Sequence, residues 1–126
     1  MVKFDITKYD VATPKGLSET IAAILDNKKG KQVTTIDLSD KTVVADYFVI
    51  ASAYSSTAVK ALADAVEEEL DKVGVHPLHR DADQKWIALD YGSVIVHVFY
   101  KELRDFYNLE RLWADGDNVT VTGEEE

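Results

Sequence analysis

Apolar residues along this chain switch between helical and strand spacing, and the switches outline the fold. Leu17, Ile21, Ile24 and Leu25 recur at three- and four-residue intervals, so a helix with one buried stripe is predicted there. Thr13 can cap its free N–H groups, Pro14 suits its first position, and Gly30 reads as its stop. Residues 33–38 predict a strand, and 47–53 form a nearly continuous apolar run, as in a strand buried on both faces. The clearest helix opens at Ser55 or Ser56, carries Val59, Leu62, Val66, Leu70 and Val73 on one face, and ends at Gly74. A short strand over 77–80, a hairpin over 85–100 and a helix over 102–114 complete the pattern. The order αββαβββα predicts an α/β fold, a mixed β-sheet covered by helices, in one domain spanning 13–114. Residues 1–12 are expected to form an N-terminal arm and 115–126 a mobile acidic tail, in which Val119 and Val121 could add an edge strand.

The hairpin sorts its side chains unequally. A two-residue Tyr91-Gly92 loop would pair Asp90 with Ser93, Ala88 with Ile95 and Trp86 with His97. Alternation then puts Ile87, Leu89, Val94, Val96 and Val98 on one wholly aliphatic face, which belongs in a core. The other face carries Trp86, Ala88, Asp90, Ser93, Ile95, His97 and Phe99. A core does not need that mixture, and it points to a surface that touches a partner.

Charge narrows the partner. With 23 acidic against 14 basic residues the net charge is −9, which disfavours direct phosphate binding because a nucleic-acid surface needs clustered lysine and arginine. The basic stretch Lys28-Lys29-Gly30-Lys31 reads as a solvated turn after a helix. An acidic chain suits a basic protein. Zero cysteines exclude disulfides, thiolate metal sites and cysteine nucleophiles. The start lacks a basic-then-apolar leader and no apolar run reaches the roughly 20 residues that span a bilayer, so a soluble, cytoplasmic protein is expected.

Candidate chemistry reduces in the same way. His76 and His79 would diverge on an extended segment, so a metal site with Asp81 and Asp83 is not expected. Asp81-Ala82-Asp83 could hold Mg²⁺ for nucleotidyl transfer, but the segment 51–56 before the second long helix has neither the glycine nor the basic group of a phosphate cradle. His97 has no nucleophile beside it and reads as a histidine packed against Trp86 that orders the binding face. No cofactor and no catalytic residue are assigned. Phe106, Leu109 and Trp113 make a helical stripe that belongs mostly to a core. Because Trp, Tyr and Arg dominate energetic hot spots, Trp86, Tyr91, Arg104, Tyr107 and Trp113, with Asp90 and His97, are the candidate partner-binding residues.

The tryptophan-led strand, Asp90-Tyr91-Gly92, Val96-His97-Val98-Phe99, and then Arg104, Phe106-Tyr107, Leu109-Glu110 and Leu112-Trp113 resemble the Iojap family of ribosome-silencing factors. Ala45-Asp46-Tyr47-Phe48-Val49-Ile50-Ala51-Ser52 before a helix fits the same pattern, and the likeness covers roughly residues 14–114. The family's fold is similar to nucleotidyltransferase domains without their catalytic apparatus. The resemblance implies a non-enzymatic repressor that binds the large ribosomal subunit on its protein numbered fourteen and keeps the small subunit from joining under nutrient limitation. It also implies a homodimer of the free protein. A metal-dependent nucleotidyltransferase and a generic dimeric adaptor are the alternatives. The chain departs from the family at Arg80-Asp81-Ala82-Asp83-Gln84, where members commonly carry Glu-Gly: the acidic character is kept and the glycine is not.

Overall fold

A computed structural model describes residues 4–123, with Phe106 and Tyr107 described through their backbone alone. Helix α1 (Pro14–Asn27) starts where Thr13 Oγ1 accepts the Gly16 N–H at 3.0 Å. It stops differently from expectation. The left-handed residue after the helix is Lys29 (φ 69°), and the Gly30 N–H then closes on the Leu25 carbonyl at 2.8 Å. Helix α2 (Ser56–Asp71) is capped by Ser55, which accepts from the Ala58 N–H at 3.0 Å, and the chain turns away at Gly74.

Six strands form one mixed sheet: β1 (Lys31–Asp37), β2 (Tyr47–Ala53), β3 (His79–Ala82), β4 (Trp86–Asp90), β5 (Val94–Tyr100) and β6 (Val119–Val121), in the order β3-β4-β5-β2-β1-β6. Among the described residues only β2 and β5 run parallel, joined through α2, β3 and β4; every other pair is antiparallel. Strand β3 lies two residues later than the 77–80 segment suggested, and Val119 to Val121 do extend the sheet, pairing with β1.

Helices α1 and α2 cover one face. Between them and the sheet lie Ile21, Ile24, Leu25, Val49, Val59, Val66, Leu70, Leu89, Val94, Val96 and Val98, all buried. Ile6 of the N-terminal segment also packs here, through a short 3₁₀ turn (Ile6–Lys8), so the expected arm is tied to the core. The predicted last helix is two: α3 (Lys101–Tyr107) and α4 (Leu109–Trp113), broken at Asn108. Asn108 takes φ 47°, and its side chain caps α4 by accepting the Arg111 N–H at 3.3 Å. These short helices serve the other face, where Leu103, Leu109 and Trp113 pack with Ile36, Leu38, Ile50 and Phe99.

The hairpin register is corrected by two residues. Trp86 pairs with Phe99, Ala88 with His97 and Asp90 with Ile95. The loop is Gly92-Ser93: Gly92 takes φ 87°, and the Ser93 N–H reaches back to the Tyr91 carbonyl at 3.2 Å. A three-residue turn of that hand needs a positive φ at its centre, which glycine adopts without a steric penalty. A shift of two leaves every side chain on its expected face.

Candidate protein-docking site

The face bearing Trp86 is a second, smaller core that closes at one end and stays open at the other. At the closed end, Arg104 of α3 is only 4% exposed. Its Nη1 donates to the carbonyls of Lys31 (3.3 Å) and Gln32 (2.6 Å) and to Ser52 Oγ (2.9 Å). Its Nη2 donates to Thr34 Oγ1 (3.0 Å) and to Glu110 Oε2 (2.7 Å). The acceptors exist because β1 bulges between Lys31 and Thr34, with Gln32 left-handed at φ 51°. Arg104 thus ties α3 and α4 to the bulge. The expectation that it meets a partner is corrected, since its guanidinium is spent inside the domain.

Around the centre of this face the rings lock together. Trp86 lies 4.9 Å from Phe99, and Phe48 meets His97 edge-on at 4.8 Å and Trp113 at 6.1 Å. The Trp86 Nε1–H donates to His97 Nδ1 at 3.2 Å, so the expected packing of this histidine on Trp86 is realised, diagonally across the hairpin. His97 is 8% exposed, and burial holds its pKa down to about 4. It is therefore neutral at ordinary pH, and its Nε2 is buried without a hydrogen-bond partner. That places His97 behind the surface.

The open end is formed by β3 and β4. Trp86, Ala88, Asp81, Ala82 and Asp83 line an open groove there of about 360 Å³. Trp86 is half-buried, with one part of the indole packed inward and another forming the groove wall. Asp83 shapes the approach: its carboxylate accepts the Lys85 N–H (3.2 Å), and its own N–H donates to the Trp86 carbonyl (3.0 Å). Asp81 sits opposite Ala88 on β4. In the sequence Asp81 and Asp83 suggest metal ligands, and Ala88 carries no signal of its own. Placing β3 beside β4 in register would have grouped all three with Trp86.

The remaining candidates scatter. Asp90 is half-buried and accepts the Gly92 N–H at 2.7 Å, so its carboxylate braces the turn. Tyr91 belongs to the aliphatic core, on the opposite face from Trp86. Burial there raises its pKa, with Glu67 adding to the effect and Arg80 opposing it. The Tyr91 hydroxyl is buried without a partner, so Tyr91 is corrected from surface to core. Trp113 packs half-buried at the covered end. The Tyr107 side chain lies outside the described residues.

Elsewhere, Arg80 ion-pairs with Glu67 and with Asp64 (3.1 Å), joining β3 to α2. His76 contacts Asp71, and His79 is an exposed residue of β3. Among the described residues no group of three His, Asp or Glu side chains is placed to hold a metal ion, and no helix is long and apolar enough to cross a membrane.

The chain is similar to known proteins. Residues 11–126 match the family model described as "Ribosomal silencing factor during starvation". The chain is 34% identical over 103 residues to the ribosomal silencing factor of Bacillus subtilis, covering 80% of this chain and 87% of that protein. It is 37% identical over 113 residues to the one from Zymomonas mobilis, covering 88% and 83%. A mouse protein named for mitochondrial assembly of the ribosomal large subunit is 26% identical over 102 residues, 76% of this chain and 44% of the mouse protein. A crystal structure of a Chromobacterium violaceum protein superposes with a TM-score of 0.78 at 28% identity, covering 89% of this chain and 94% of that one. The chain belongs to the ribosomal silencing factor family.

Proposed function

From that membership, we propose that this protein represses translation by docking on the large ribosomal subunit, on its protein numbered fourteen. The bound domain then stands where the small subunit must join. It acts in the cytoplasm without turning over a substrate, and the free protein pairs as a homodimer. One observation carries the docking reading: at the β3–β4 end Trp86 and Ala88 line an open groove together with Asp81 and Asp83. A tryptophan wall with carboxylates at its rim suits a basic protein surface: the ring supplies contact area, and the charges steer association and set orientation. The net charge of −9 acts in the same sense and opposes direct docking on RNA phosphates. The mouse relative's name, with its large-subunit assembly, supports that subunit as the partner.

The test is sedimentation with separated subunits. The protein should travel with large subunits and not small ones, and should bind isolated protein fourteen without RNA. It should also lower the yield of joined ribosomes in a reconstituted assay. Equal binding to both subunits, or binding only when RNA is present, would contradict the proposal.

A further inference from the structure

His97 is the buried titratable group whose chemistry the docking reading leaves unused. Its ring lies parallel to Phe99 (centroids 6.0 Å apart, 10° between planes), meets Phe48 edge-on at 4.8 Å, and is almost closed off from solvent. A phenylalanine could occupy that space with no ring nitrogen of its own to satisfy, whereas His97 keeps a buried Nε2 with no hydrogen-bond partner, which is unfavourable. What a phenylalanine could not do is accept the Trp86 Nε1–H, which His97 Nδ1 does at 3.2 Å. We propose that His97 is a positioning residue for Trp86: its Nδ1 holds the indole donor inward, so that the ring presents apolar surface at a fixed angle to the groove lined by Asp81, Asp83 and Ala88.

The bond defines the histidine's state. An Nδ1 that accepts leaves the proton of the neutral imidazole on Nε2. The bond also fixes two torsions of a large side chain before the partner arrives. Immobilising one such side chain in advance improves affinity by roughly two- to tenfold. The backbone makes the contact possible, because Trp86 stands opposite Phe99 and His97 opposite Ala88, whose single methyl leaves the diagonal clear.

The proposal rests on the docking reading for its consequence, but the positioning can be read without any ribosome. In the full-length chain, His97→Phe should move the Trp86 indole N–H proton resonance upfield and leave that of Trp113 in place, Trp113→Phe identifying which is which. It should also weaken large-subunit binding about two- to tenfold. His97→Asn, whose side-chain oxygen falls near the Nδ1 position, should restore both. An unmoved indole resonance in His97→Phe overturns the proposal, as does parental affinity in that variant when Trp86→Ala has lost binding. If Trp86→Ala binds like the parent, the docking reading falls, and the indole resonance still decides whether His97 positions the ring. Should His97→Phe fail to fold, imidazole nitrogen shifts of the parent decide: a protonated Nε2 with an accepting Nδ1 supports the proposal, and the opposite tautomer overturns it.

Discussion

The two faces of the sheet are built from different interactions. Under α1 and α2 the core is aliphatic, filled by Ile21, Leu25, Val66, Leu70 and Leu89, and its stability comes from apolar area that needs no particular orientation. Under α3 and α4 the contacts are directional: an arginine with five acceptors, an indole on an imidazole, and Phe48 meeting His97 and Trp113 edge-on. The first face buries its aliphatic side chains under α1 and α2, whereas the second closes at Arg104 and opens at Trp86. One sheet thus supplies a stable body on one side and a shaped, partly open surface on the other.

The sharpest way to break this comparison is at the closed end. Arg104→Leu would strand Glu110, leave the Ser52 and Thr34 hydroxyls without their donor, and leave the Gln32 carbonyl with the Thr34 hydroxyl alone. Arg104 is buried while Glu110 is 31% exposed, so the loss comes from this pair together with the buried hydrogen bonds around it, and denaturant unfolding should show a cost of about 3–5 kcal/mol. A loss below about 1 kcal/mol would mean that the arginine network does not hold α3 and α4 in place. On the aliphatic face, Leu89→Ala should cost about 2–5 kcal/mol while its folded fraction binds large subunits like the parent.

Trp86→Ala should divide its effect. Being half-buried against Phe99, it should destabilise the fold by about 1–3 kcal/mol, less than a fully buried ring. Binding should fall by about 2–4 kcal/mol, tens- to several hundred-fold, in a titration against large subunits. A variant that still blocks subunit joining at parental concentration would remove Trp86 from the interface.

Much of this division was legible in the chain, and the failures share a cause. Alternation along 86–99 assigned the faces correctly even with the wrong register, because a slip of two residues preserves sidedness. The caps at Thr13 and Ser55 were readable because a cap is a local bond. Arg104 was misread because its acceptors lie about seventy residues earlier, on a bulge that local spacing does not announce. Tyr91 was misread because placing it in the loop hid that it shares the parity of Ile87 and Leu89. The open groove depends on β3 standing beside β4, a pairing that the short, exposed β3 sequence does not advertise.

Mild acid should report on the directional face through His97. His97 has a folded pKa of about 4 against an ordinary value of 6.5, because burial disfavours its charged form. The folded state therefore binds fewer protons than the unfolded one. Its contribution is complete above about pH 6.5 and is lost as pH falls toward 4, on the order of 3 kcal/mol in all. The exposed carboxyls of Asp5, Asp37 and Asp115 are held below their usual value chiefly by side-chain hydrogen bonds from Thr7, Ser39 and Lys41. Their effect belongs to still lower pH. Unfolding measured between pH 7 and pH 5 should show a decline in the parent that His97→Phe lacks. An equal decline in both would assign the acid sensitivity to other groups.

The smallest expected effect lies at the turn that serves both faces. Gly92 has φ 87°, and a Cβ added there would meet only Leu78 Cδ1 at 3.6 Å, an ordinary contact. Gly92→Ala therefore meets no clash, and its cost is the positive φ alone, about 1–2 kcal/mol. A slip of one residue could relieve that strain only by turning Ile87 and Leu89 of β4, or Val94, Val96 and Val98 of β5, toward the open face, which would cost far more in lost burial. The variant should thus unfold slightly earlier, retain the Trp86–His97 contact in its indole resonance, and bind large subunits like the parent. A moved indole resonance in Gly92→Ala would mean that the turn, and not the sorting of side chains between the two faces, sets the hairpin register.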